Sequence, residues 1–121
     1  IGMGYIKLGQ PTPALSGGEA QRIKLAKEIG KKRKGNILYI LDEPTTGLSM
    51  YDTAKLIELL DKLVSRGNSV FVIEHDPNVL RVCDWIIELG PKGGDEGGRI
   101  IAEGSPSMLI KNPASLTGRY L

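Results

Sequence analysis

Two features of the sequence predict an α/β fold, a mostly parallel sheet with flanking helices. Apolar, strand-forming runs at 37–41 and 69–73 alternate with stretches whose apolar residues recur at helical spacing. Both runs end in polar clusters, Asp42-Glu43 and Glu74-His75-Asp76, and the carboxyl ends of strands are where sheets of this kind hold ligands.

The elements follow in order. Residues Ile1 to Leu8 mix apolar side chains with Gly2 and Gly4, and Gln10-Pro11-Thr12-Pro13 cannot continue a helix because proline lacks a backbone donor, so the opening reads as a loop. Ser16-Gly17-Gly18-Glu19 fits the capping box S-x-x-E, and Ala20, Ile23, Ala26 and Ile29 follow at helical spacing up to Gly30. The basic run Lys31-Lys32-Arg33-Lys34 reads as a solvated helix exit favoured by the helix dipole, in preference to a phosphate-backbone site. Ile37 to Leu41 is uninterrupted and apolar, as expected of a parallel strand buried on both faces. From Asp52 to Ser65, Leu56, Ile57, Leu59, Leu60, Leu63 and Val64 describe an amphipathic helix stopped by Arg66-Gly67-Asn68. A second buried strand is expected over Ser69 to Ile73, and Pro77 opens a short helix through Val82. Trp85 to Leu89 and Arg99 to Ala102 suggest a hairpin around a glycine-rich turn, and Ser107 to Lys111 a small terminal helix.

Composition narrows the setting. The chain has 121 residues, 40% hydrophobic and 25% charged, which suits one globular unit with one core. Sixteen basic and 14 acidic side chains leave a net charge of +2, too small to argue for a nucleic-acid-coating surface. The single cysteine, Cys83, cannot form an internal disulfide, and no Cys/His cluster has zinc-site spacing, so a reducing cytoplasmic setting is expected. No apolar run approaches the roughly 20 residues that cross a bilayer. The first residue is Ile1 rather than Met, from which we expect a piece of a longer polypeptide.

Certain residues could carry chemistry. Asp42, at the end of a buried strand, could hold Mg2+, a hard cation that prefers oxygen ligands and keeps much of its water. Glu43, one residue on, could orient and deprotonate a water attacking a γ-phosphate. Alone, such a pair is a weak signal and reads more readily as a strand meeting a polar turn. The glycines of Leu15-Ser16-Gly17-Gly18-Glu19-Ala20-Gln21-Arg22 permit close approach of an anion to unpaired N–H groups at a helix start, and Ser16 adds a hydroxyl, although it serves as a cap in either case. His75 could hydrogen-bond the γ-phosphate, though a lone histidine is commonly structural.

Together these segments resemble an ABC-type P-loop NTPase. Leu15 to Arg22 looks like the ABC signature, Leu38 to Glu43 like a Walker B strand, Thr45-Thr46-Gly47-Leu48 like the D-loop region, and His75 like the switch histidine. Tyr5-Ile6-Lys7-Leu8-Gly9-Gln10-Pro11, Asp42 to Leu48, Val72 to His75 and Asp84 to Pro91 look like the second ATPase module of the UvrA family, the damage-recognition proteins of the bacterial excinuclease. Ser49 departs from the histidine common there, and Asp76-Pro77 from an Asn-Leu pair. The resemblance implies a partial ABC ATPase domain over 1–121 with no second domain. It implies ATP and Mg2+ as ligands, with Asp42 on the metal and Glu43 and His75 catalytic. Ser16, Gly17, Gly18 and Gln21 would face nucleotide bound to a second ABC module. It further implies damaged DNA and other excinuclease subunits as partners of the full protein, in nucleotide excision repair, with no membrane; zinc would belong only to its other parts.

No G-x-x-x-x-G-K-[ST] phosphate loop occurs, because Gly93 to Gly98 is followed by Arg99-Ile100. The piece alone is therefore expected to be inactive, and its open sheet edge to favour self-association. The alternatives are the ATPase module of an ABC transporter, a drug-resistance paralogue of the repair protein, and an interaction module that lost its nucleotide site.

Overall fold

The computed structural model describes residues 4–7, 17–31, 36–90 and 97–121. Contacts divide the chain into two compact units, Ile1–His75 and Asp76–Leu121.

The first unit contains strand β1 (Gly4–Lys7), helix α1 (Gly17–Gly30), strand β2 (Ile37–Asp42), helix α2 (Met50–Ser65) and strand β3 (Ser69–Ile73). The three strands form a parallel sheet with β2 in the centre. The expectation of a loop over Ile1 to Leu8 is thus corrected at Gly4–Lys7, which pairs with Ile37 to Ile40. Gly4 hides the strand locally, and what makes the segment a strand is the ladder that β2 offers it.

Alternate residues of β2 explain the core. Ile37, Tyr39 and Leu41 are buried on the face covered by α1 and α2, where they meet Leu25, Leu56, Leu60 and Leu63. Val70 and Val72, opposite Tyr39 and Leu41 in the ladder, add to that face. On the other face Ile40 pairs with Phe71 and Asp42 with Ile73. Phe71 and Ile73 are 51% and 46% exposed, so the second buried strand expected from the sequence is instead half-exposed. An apolar run shows strand propensity but cannot reveal whether both faces are covered. The α2 start lies two residues before the expected Asp52, because Ser49 caps it by accepting the Asp52 amide at 3.1 Å. Its stop is as expected: Gly67, at φ +88°, sends its N–H to the Val64 carbonyl at 2.9 Å.

The second unit contains α3 (Pro77–Val82), β4 (Ile86–Gly90), β5 (Arg99–Gly104), α4 (Pro106–Lys111) and a 3-10 turn at Thr117–Tyr120. The hairpin is present: β4 and β5 pair antiparallel, with an irregularity between Glu88 and Leu89. Leu80, Ile86 and Leu109 form its core. Asp76 caps α3 by accepting the Asn78 amide at 2.8 Å, with Pro77 in the first turn. Both departures noted in the sequence, Ser49 and Asp76-Pro77, therefore serve as helix starts.

Candidate functional site

The polar residues at the carboxyl ends of β2 and β3 come together in the first unit. The ladder extends one residue past β2: the Glu43 N–H donates to the Ile73 carbonyl at 2.8 Å, which fixes Glu43 beside the residues that follow β3. Glu43 then turns out of the strand in a left-handed conformation, φ +48°, which a residue with a side chain rarely adopts. Its Oε1 lies 3.2 Å from His75 Nε2. The Glu43 and His75 side chains are 50% and 81% exposed, so this pair faces solvent and is open to a ligand.

The chain turns tightly after Glu43. Pro44 is fully buried, the Thr46 N–H returns to the Glu43 carbonyl at 3.2 Å, and the Leu48 N–H to that of Thr45 at 2.9 Å. Gly47 takes φ +77°, the one point of this turn where glycine is required by the backbone. Leu48 returns to the core, and Ser49 starts α2. A second connection joins the two strand ends: Thr45 Oγ1 donates to Glu74 Oε2 at 2.7 Å, while Glu74 Oε1 accepts the His75 N–H at 3.2 Å.

Asp42 is exposed at the last position of β2, opposite Ile73. Among the described residues, no three or more His, Cys, Asp or Glu side chains stand together as a metal cage. A single exposed carboxylate suits Mg2+, which completes its shell with water and phosphate oxygens, and does not suit structural zinc.

Of the residues that resemble the ABC signature, Gly17 and Gly18 open α1, and Ser16 lies outside the described residues. Gln21, in the following turn, is 5% exposed, and its Oε1 has no hydrogen-bond partner among the described residues. Arg22 pairs with Asp52 at 3.0 Å and so ties α1 to the first turn of α2. The ties Thr45–Glu74 and Arg22–Asp52 were missed in the sequence, because nothing local marks two residues about 30 positions apart as partners.

The comparisons with known proteins bear on this arrangement. Over its whole length the chain is similar to UvrABC system protein A. It is 60% identical to UvrABC system protein A of Aquifex aeolicus and 59% identical to that of Thermus thermophilus, in each case over 121 residues. It spans 13% of the length of each of these relatives. The crystal structure of UvrA2 from Deinococcus radiodurans matches 94% of the chain with a TM-score of 0.84 and 47% identity, using 14% of that protein. CbiO1 from Clostridium perfringens, part of the ABC transporter complex cbiONQ, matches 87% of the chain at a TM-score of 0.57 and 26% identity, over 39% of its own length. No protein-family model matches. The fold is that of a portion of an ABC-type ATPase, an α/β sheet with flanking helices, and the likeness to UvrABC system protein A runs well above that to the transporter component. Among the described residues no helix is long and apolar enough to cross a membrane.

Proposed function

We propose that this chain is part of an ATP-hydrolysing, ABC-type DNA-repair protein of the cytoplasm, the damage-recognition component of the excinuclease in nucleotide excision repair. The observation that carries the reading is the pairing of Glu43 with His75 at the ends of adjacent parallel strands, in a chain 60% identical to UvrABC system protein A. Mg2+-bound ATP, when present, supplies the γ-phosphoryl group and the charge neutralisation its transfer needs. Asp42 would hold the metal. Glu43 orients the attacking water and takes its proton, while His75 turns its Nε2 from Glu43 to a γ-phosphate oxygen.

Ser16, Gly17 and Gly18 face nucleotide held by an opposing ABC module, with Gln21 buried in the helical turn that follows, so that ATP closes two modules and hydrolysis releases them. Damaged DNA and the other excinuclease subunits are partners of the longer protein. Because the phosphate loop is not within these 121 residues, the piece alone hydrolyses ATP negligibly. The exposed Phe71 and Ile73 on β3 support the expectation that such a piece self-associates. Glu43→Gln in the full-length protein tests the reading. ATP binding should persist while kcat falls about 100-fold or more, the usual contribution of a general base. Undiminished turnover would remove Glu43 from its role.

A further inference from the structure

We propose that Glu74 is a positioning residue for ATP hydrolysis, a carboxylate clamp that holds the turn following Glu43 against the backbone of His75; this rests on the function proposed above. Each oxygen of Glu74 has a separate task. Oε2 receives the Thr45 hydroxyl at 2.7 Å, and Oε1 receives the His75 N–H at 3.2 Å. Thr45 stands two residues beyond Glu43, in the turn closed by the Thr46 N–H on the Glu43 carbonyl. One half-buried side chain thus bonds to the residues that follow both strands.

The need for such a clamp follows from the exposure of the reacting pair. With His75 at 81% and Glu43 at 50%, packing does little to hold either side chain, and the Glu43 backbone is in an unfavourable conformation that its surroundings must enforce. The Glu43–His75 contact has to open for His75 to reach a phosphate. The Glu74–Thr45 bond shares no atom with that contact, so it can keep the two loops in register while the contact is broken. Small misplacement of catalytic groups is costly in rate, and the clamp accordingly acts on kcat more than on the binding of ATP.

The test is a double-mutant cycle on ATP hydrolysis by the full-length protein. Glu74→Ala and Thr45→Val should each lower kcat about tenfold with KM for ATP within about twofold, since a hydrogen bond to a charged group is lost in either case. The double variant should be no slower than the single ones, and Thr45→Ser, which keeps the hydroxyl, should retain the parent kcat. If Glu74→Ala fails to fold, Thr45→Val and Glu74→Gln carry the test: the first should show the same tenfold loss, and the second, which keeps an acceptor, a smaller one. Unchanged kcat in Thr45→Val, or multiplicative losses in the double variant, overturns the clamp. Glu43→Gln measured alongside separates the two ideas. Should it abolish turnover while Thr45→Val does not alter it, the clamp alone fails; should Glu43→Gln leave turnover intact, the function proposed for the site fails.

Discussion

Removing the Glu88 carboxylate should release the end of the second unit. Glu88 sits on β4, 8% exposed, and three groups of the C-terminal segment converge on it: the Ser115 hydroxyl at 2.6 Å, the Leu116 N–H at 2.9 Å and the Thr117 N–H at 2.8 Å. Ser115 in turn accepts the Gly118 N–H at 2.8 Å, so the 3-10 turn is organised around one side chain. A hydrogen bond to an ionised acceptor contributes about 1.5–3 kcal/mol net. Three bonds sharing one carboxylate do not add, and the buried charge carries a desolvation cost, so we take about 3 kcal/mol for the set. With 1.4 kcal/mol per factor of ten, Glu88→Ala should raise local opening by about 100-fold. Hydrogen exchange in the intact protein, read at the amides of Leu116, Thr117 and Gly118, measures this directly, with the β2 amides as an internal control. Exchange at those three amides within about threefold of the parent rate would show that packing of Leu109 and its neighbours, rather than the carboxylate, holds the segment.

Other outcomes follow from the same geometry. Burial tends to raise the Glu88 pKa, but the bonds from Ser115, Thr117 and Leu116 together outweigh it and hold the carboxyl below its ordinary value. A depressed folded pKa means that this stabilisation is complete above the ordinary carboxylate range and is lost as pH falls through the folded value, so exchange at Leu116 and Thr117, corrected for its intrinsic pH dependence, should accelerate only in acid. Gly118→Ala places a Cβ 2.1 Å from the Leu109 carbonyl oxygen, an impossible approach without backbone movement; it should cost about 2 kcal/mol or more, visible as a lowered Tm or increased exchange in the second unit. Ser49→Ala removes the α2 cap and should cost about 1 kcal/mol, while Ser49→Asp should keep most of it, as denaturant titration would report.

Much of the candidate site was legible because its signals are local. A strand-forming run that ends in two acids, a proline at the start of a helix, and a glycine after the last helical turn each act within one turn of chain. Asp42, Glu43 and His75 were accordingly found at strand ends, and α2 and the hairpin near their expected bounds. The pairing of Glu43 with His75 required more, since it depends on β2 and β3 lying side by side in a given register. Glu74 and Thr45 carried no mark of their partnership, because their bond joins residues 29 positions apart. Nothing in the strand run Trp85 to Leu89 marked Glu88 as a buried acceptor.

Periodicity and capping determined, from the chain alone, that there would be an α/β unit with acids at a strand's carboxyl end and a histidine at the next. Those properties come from steric and hydrogen-bonding preferences of neighbouring residues, which no distant contact has to supply. Tertiary structure alone decided that Gly4–Lys7 would be a strand, that β3 would expose Phe71 and Ile73, and that Glu74 and Glu88 would each gather donors from remote loops. Parallel ladders and buried carboxylates are satisfied only by partners brought in from elsewhere in the chain, so their free energy appears when the fold closes and leaves no trace in any single segment.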